Sequence, residues 1–93
     1  MSESDSLDLI EFVMDLEKLG LELPDEDVVR LSRDSTVGDI YRMLAARQAG
    51  VEPQSVARPE PYDPLWLRLV SAVAQLRQVS PTTVGWDTRP FRV

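Results

Sequence analysis

A serine near the start of the chain, Ser6, is the side chain best placed for covalent chemistry. It stands between Asp5 and Asp8, beside the apolar Leu7, where the pattern predicts the start of a helix. Its hydroxyl is open to modification by another protein, but the chain has no histidine that could activate it as a nucleophile. Serine is also common in the first turn of a helix for its local hydrogen bonds, and the local pattern alone favours that interpretation.

The predicted helix that follows carries two neighbouring stripes on its outer side. Three carboxylates at spacing i, i+3 and i+7 line one face, namely Asp8, Glu11 and Asp15. Beside them runs an apolar stripe formed by Leu7, Ile10 and Met14. A face of this kind suits a partner whose surface is basic around an apolar centre. The alternative, which the pattern alone favours, is a solvated polar face with a few incidentally exposed apolar groups.

Composition excludes most catalytic chemistry. The chain has no histidine and no cysteine, which removes thiol nucleophiles, Ser-His-Asp triads, structural zinc sites and disulfides. Its four glycines form no phosphate-binding loop. The acidic run Asp25, Glu26 and Asp27 lacks calcium-loop spacing and is interpreted as a helix start, where anions are favoured. We therefore expect a binding protein rather than an enzyme, with no catalytic residue and no metal site.

The charge distribution indicates the kind of partner. Sixteen acidic and ten basic residues give a net charge of -6, and the acidic excess lies in residues 1–50. This disfavours nucleic acid and anionic membranes and favours a basic protein partner. No apolar run is long enough to span a membrane and no signal peptide precedes the first helix, so the sequence predicts a cytoplasmic protein.

The elements that would position these residues are helices. The first helix is predicted from about Ser6, capped by Asp5, to Leu19, with a buried stripe of Leu9, Phe12, Val13 and Leu16 before Gly20. A short helix or turn follows over 25–31 after Pro24. A second long helix, capped at Thr36 to Asp39, runs to about Gln48 before Gly50.

The remaining sequence contains one more long helix. Residues 50–64 hold four of the seven prolines, which predicts an extended linker of polyproline character. A third long helix begins with Asp63 as cap and Pro64 in the first turn and ends near Gln78. Beyond a turn at Ser80 and Pro81, Trp86, Phe91 and Val93 are predicted loop residues that pack against the bundle. Length and pattern together predict a single all-α domain over residues 1–93, with three long helices and one short one.

Four landmarks appear in order between Asp5 and Leu44: a D-S-L start, an E-x-V-M-x-L-E helix, an L-P-D-E turn and the T-V-x-D start of a last helix. With these landmarks the stretch closely resembles the second, third and fourth helices of acyl carrier proteins. The family's first helix and the loop after it are similar to residues 65–93, which contain VSAVAQLRQVSPTTVGWDTRPF.

The order of these segments resembles a circularly permuted carrier protein. Residues 1–49 would match the family's helices two to four, residues 50–64 would be the joining linker, and residues 65–93 would match helix one. The family's first helix is expected to run antiparallel to the second and the last, so a linker of this length could join its usual termini. A fragment of a tandem array, closing on itself or swapping helices with a second copy, is the alternative.

The resemblance implies a cofactor and partners. Ser6 occupies the position at which a phosphopantetheinyl transferase attaches 4'-phosphopantetheine, whose thiol holds acyl groups as thioesters. The helix that follows would dock basic patches of that transferase and of acyl-processing enzymes through Leu7, Asp8, Ile10, Glu11, Met14 and Asp15. The core receiving a short acyl chain would be lined by Phe12, Val13, Leu16, Ile40, Leu44, Leu69 and Val73.

Two hypotheses follow from the sequence. The first is a discrete acyl carrier protein serving fatty-acid, polyketide or specialised lipid biosynthesis. The second is an unmodified interaction protein that keeps the carrier fold and the docking face but never receives the arm.

Overall fold

The computed structural model describes residues 3–31 and 34–91. Within them the chain forms four α-helices and no strand: α1 (Glu3–Lys18), α2 (Asp25–Val28), α3 (Val37–Ala49) and α4 (Pro64–Arg77). Two single 3₁₀ turns complete the regular structure, at Pro53–Ser55 and Pro81–Thr83. The prediction of an all-α fold with three long helices and one short one is confirmed for these residues.

Local sequence signals account for the ends of α3 and α4. Thr36 accepts a hydrogen bond from the Asp39 backbone N–H at 3.1 Å, and the Asp39 carboxylate accepts one from the Thr36 N–H at 3.0 Å. This reciprocal pair is a capping box, and Gly50 ends α3 with a left-handed φ of 70°. At the start of α4 the Asp63 carboxylate accepts from the Trp66 N–H at 3.1 Å. All these ends agree with the sequence prediction.

The first helix begins earlier than predicted. α1 starts at Glu3, so Asp5 lies inside its first turn and does not cap it. Glutamate is a good helix former and an anion near a helix N-terminus is favoured, which makes Glu3 compatible with a helical first turn. At the other end Gly20 has a φ of 80°, as the predicted end of the helix requires. The short helix is also briefer than predicted, since α2 ends at Val28.

One hydrophobic core joins both halves of the sequence. α4 packs against both α1 and α3, and the last described residue, Phe91, is buried against Phe12 of α1 with ring centroids 5.5 Å apart. Trp86 also packs against the core, as predicted, whereas Val93 lies outside the described residues. The backbone of the C-terminal segment is tied to α3 as well, because Val37 and Gly38 donate to the carbonyls of Thr88 and Trp86 at 2.8 and 2.9 Å.

The proline-rich segment touches the bundle at a few points, while most of its residues are exposed. It contains the 3₁₀ turn at Pro53–Ser55, which contacts α3, and Val56 packs against the core. The segment brings the chain back to the first turns of α3, since Trp66 lies 6.1 Å from Tyr41 between ring centroids. α4 therefore begins beside the beginning of α3, whereas the antiparallel arrangement implied by the resemblance would place it beside the end of α3.

Candidate functional site

The backbone of Ser6 lies in the first turn of α1, as the fourth residue of the helix. The side chains of residues 3–9 lie outside the described part of the structure, and the predictions for the Ser6, Leu7 and Asp8 side chains fall there. The remaining predicted docking residues, Ile10, Glu11, Met14 and Asp15, are described.

The outer side of α1 is both apolar and acidic. Ile10 is 55% exposed and Met14 is 51% exposed, which is high for large apolar side chains. Glu11 beside them is exposed and Asp15 is half-buried. Among the described residues no ion pair involves either carboxylate. The structure thus brings these four residues together on one surface, with their charges available to another molecule.

The inner side of α1 anchors this surface to the core. Phe12 and Leu16 have no exposed surface, and they alternate along the helix with the exposed residues at helical spacing. Of the predicted core residues, six are buried in one cluster: Phe12, Leu16, Ile40, Leu44, Leu69 and Val73. Val13, the seventh, is only partly buried and packs against the edge of the cluster. The rigid packing below holds the exposed face of α1 in place.

An aromatic cluster joins the proline-rich segment, α3, α4 and the C-terminal segment. Trp86 lies 5.9 Å from Tyr41 and 5.8 Å from Trp66 between ring centroids. The guanidinium groups of Arg42 and Arg58 lie over the Trp86 ring, 5.4 and 5.5 Å from its centroid. Cation–π contacts of this kind favour a positive charge over the face of an indole.

Sequence reasoning missed the two arginines of this cluster. It placed Trp86 against the bundle but assigned nothing to the two arginines or to Gly38, whose backbone lies directly against the Trp86 ring. A glycine as the second residue of α3 was the available signal, because helix interiors disfavour glycine unless another group needs the space.

The pKa of Tyr41 clearly departs from its ordinary value. Its ring is buried, and its hydroxyl donates a long hydrogen bond to the Asp63 carboxylate at 3.5 Å. Burial of the phenol, with the negative charge of Asp63 and this hydrogen bond adding to it, raises the pKa of Tyr41 above 10.0. Tyr41 therefore stays neutral at physiological pH and serves to hold the start of α4.

The acidic run at the start of α2 contacts α3 through Arg47. The guanidinium of Arg47 binds the carboxylate of Glu26 at 2.8 Å and approaches that of Asp27 at 3.8 Å. Arg47 and Glu26 are exposed, so their pairing contributes little to stability, at most about 1 kcal/mol, while Asp27 is half-buried at the longer distance. It connects the two helices on the surface, and the side chain of Asp25 lies outside the described part.

The described residues offer exposed surfaces for binding. Across 3–31 and 34–91, no three acidic side chains are grouped so as to hold a metal ion, and no buried side-chain nitrogen or oxygen lacks a hydrogen-bond partner. None of the helices in this part is long and apolar enough to cross a membrane. The acidic and apolar face of α1 is the strongest candidate for a functional site. Comparison of the chain with protein-family models, with curated proteins and with solved structures finds no match.

Proposed function

We propose that this chain is an acyl carrier protein that holds acyl groups as thioesters on a 4'-phosphopantetheine arm attached to Ser6. The observation that carries the proposal is the division of α1 into two faces. One face is buried at Phe12 and Leu16, and the other exposes Ile10 and Met14 beside carboxylates that form no ion pair with the described residues. A carrier needs such a helix, because its partners must recognise it repeatedly while its fold stays intact.

The position of Ser6 suits attachment of an arm by another enzyme. Ser6 precedes Ile10 by four residues, and Ile10 precedes Met14 by four, so these positions share one row of the helix. Ile10 and Met14 are half-exposed. A transferase bound to these two residues would therefore be one helical turn from Ser6. In the transfer, the Ser6 oxygen would bond to the β-phosphorus of coenzyme A. The pyrophosphate bond would break, adenosine 3',5'-bisphosphate would leave, and the hydroxyl proton would pass to a base of the transferase.

Two contacts support a circular permutation of the carrier fold, while the start of α4 beside the start of α3 departs from the family's antiparallel arrangement. α4, which resembles the family's first helix, packs against α1 and α3 of the same chain. The C-terminal segment then reaches α1, where Phe91 lies against Phe12. In an unpermuted carrier the corresponding loop would continue from this region to the modified serine. The end of the described chain is thus beside the helix that the loop would enter.

The residues of this chain would perform three tasks in the carrier cycle. Ser6 supplies the hydroxyl, the arm supplies the thiol that the sequence lacks, and the acidic face recruits basic enzymes. The buried cluster around Phe12, Ile40 and Leu69 supplies apolar surroundings for a short acyl chain. Fatty-acid, polyketide and specialised lipid biosynthesis are the pathways in which such a carrier would serve.

An unmodified interaction protein is the second candidate. The same observation favours it, because the exposed face of α1 can recruit a basic partner without any arm. The two candidates differ only in the chemistry at Ser6.

Intact-mass measurement separates the two candidates. The purified protein is incubated with a broad-specificity phosphopantetheinyl transferase and coenzyme A, with Ser6→Ala as control. A carrier gains the mass of a single arm, and the Ser6→Ala variant gains none. If a wild-type protein whose helical circular dichroism shows it to be folded gains no mass, the carrier proposal is wrong and the interaction protein is favoured.

A further inference from the structure

A groove of about 330 Å³ lies between the second half of α1 and the end of α4. One wall belongs to the proposed docking face, while the other belongs to a helix at the opposite end of the sequence. The α1 wall is formed by Glu11, Met14 and Asp15, and the α4 wall is formed by Gln75, Leu76 and Gln78. Lys18, the last residue of α1, also lines the groove.

The groove lining contains both apolar and polar groups. Met14 is half-exposed on one side, and Leu76 on the other side is partly buried and packs against the core. These two side chains supply the apolar part of the lining. The polar part consists of the charged groups of α1 and the amides of Gln75 and Gln78 at the end of α4.

The charge in and near the groove favours a basic occupant, because two carboxylates and one lysine line it and the rest of α1 is acidic. α1 contains six acidic residues and one basic residue over Glu3–Lys18, a net charge of -5. Among the described residues, no intramolecular ion pair neutralises Glu11 or Asp15. A partner carrying lysine or arginine beside an apolar side chain therefore complements both parts of the groove. A partner with an acidic surface would be repelled.

We infer that the docking surface is this two-helix groove, with α4 as its second wall, and that it receives a basic segment of the modifying transferase with one apolar side chain between Met14 and Leu76. The inference rests on the proposed function. The groove lies close enough to the modification position for one enzyme to span both. Ser6 precedes Glu11 by five residues and Asp15 by nine, about 7 to 14 Å along the helix axis at 1.5 Å per residue.

Charge substitutions at Gln75 test the α4 wall. Gln75 is exposed and near the end of α4, so either charge is compatible with folding. We expect Gln75→Lys to lower kcat/KM of the transferase about three- to tenfold by repulsion of the basic segment, and Gln75→Glu to raise it. Both effects should shrink in 0.5 M salt, because screening shortens the range of the interaction.

Gln48 provides a matched control. It is exposed in the last turn of α3 and does not line the groove, so Gln48→Lys and Gln48→Glu add the same net charge at a remote site. Thermal unfolding by circular dichroism confirms that all four variants are folded. If the arm is transferred to all variants at the same rate, the inference that α4 forms part of the docking surface is wrong, while the carrier proposal stays intact. Absence of arm transfer to the wild-type protein would overturn both.

Discussion

Replacement of Gly38 by alanine should destabilise the protein, although the same change in an ordinary helix would stabilise it. A Cβ atom at residue 38 would lie 2.5 Å from Cε2 and 2.8 Å from Cδ2 and Nε1 of Trp86. Carbon atoms pack at about 3.5 to 4.0 Å, so the indole would have to move by about 1 Å or more. The ring is held by Tyr41 and Trp66 and cannot move freely.

The expected magnitude follows from two opposing contributions. Overpacking costs about 1 to 3 kcal/mol, and the higher helix propensity of alanine returns up to about 1 kcal/mol. Gly38→Ala should therefore lower the free energy of unfolding by up to about 3 kcal/mol, and by about 1.5 kcal/mol at the middle of both ranges. In a domain of this size each kcal/mol corresponds to a fall in Tm of about 4 to 8 °C.

A double-mutant cycle isolates the clash. The Trp86→Ala protein has no indole ring that the added methyl group could clash with. In this background Gly38→Ala should be neutral or should stabilise the protein by up to about 1 kcal/mol. The Trp86 carbonyl that accepts from the Gly38 N–H is retained in this background. Urea unfolding of the four proteins is followed by circular dichroism at 222 nm, which does not depend on tryptophan. An equally large destabilisation by Gly38→Ala in both backgrounds would refute the reasoning.

Three further changes test the core, the cap and the buried phenol. Phe12→Ala removes a fully buried ring and its edge contact with Phe91, so urea unfolding should show a loss of about 3 to 5 kcal/mol, with Phe12→Leu costing clearly less. Thr36→Ala should cost about 1 kcal/mol in the same assay, whereas Thr36→Ser, which keeps the capping oxygen, should cost much less. Because burial and Asp63 raise the pKa of Tyr41 in the folded protein, its stabilising contribution is complete below pH 10 and is lost as the pH rises through the folded-state pKa. Tyr41→Phe should therefore unfold less steeply with pH above 10 than the wild type, and an identical pH dependence of the two midpoints would contradict the assignment.

Sequence reasoning predicted most helix ends because the signals for them are local. Thr36 with Asp39, Gly50, and Asp63 before Pro64 all act within one turn of the residues that they cap. The start of α1 was missed for a related reason. Asp5 is a good cap by residue type, but Glu3 is equally compatible with a first helical turn, so residue type alone did not distinguish them.

Long-range packing could not be predicted in the same way. A proline-rich segment looks extended in sequence, and the contacts that bind it to the bundle, such as Arg58 over Trp86, join residues far apart in the chain. The choice of which end of α3 lies beside α4 depends on the same contacts. Helical periodicity carries no information about how a later segment returns to an earlier one.

Sequence reasoning likewise predicted the α1 part of the candidate site and missed the α4 part. The exposed positions of Ile10 and Met14 follow from helical spacing and were predicted. The second wall of the groove, at Gln75 and Leu76, depends on how α4 lies against α1. Its residues showed no pattern that would mark them as part of a binding surface.

The aromatic cluster has a consequence for spectroscopy. Trp66 and Trp86 are the only two tryptophans of the chain, and they lie in contact at the junction of α3 and α4. Intrinsic fluorescence will therefore report the unfolding of that junction, while α1, which carries Ser6, contributes no indole signal. A loss of helical circular dichroism that precedes the change in fluorescence would assign the first opening of the molecule to helix outside the tryptophan junction. The pair of tryptophans is thus a built-in local probe that separates the stability of the junction from that of the rest of the bundle.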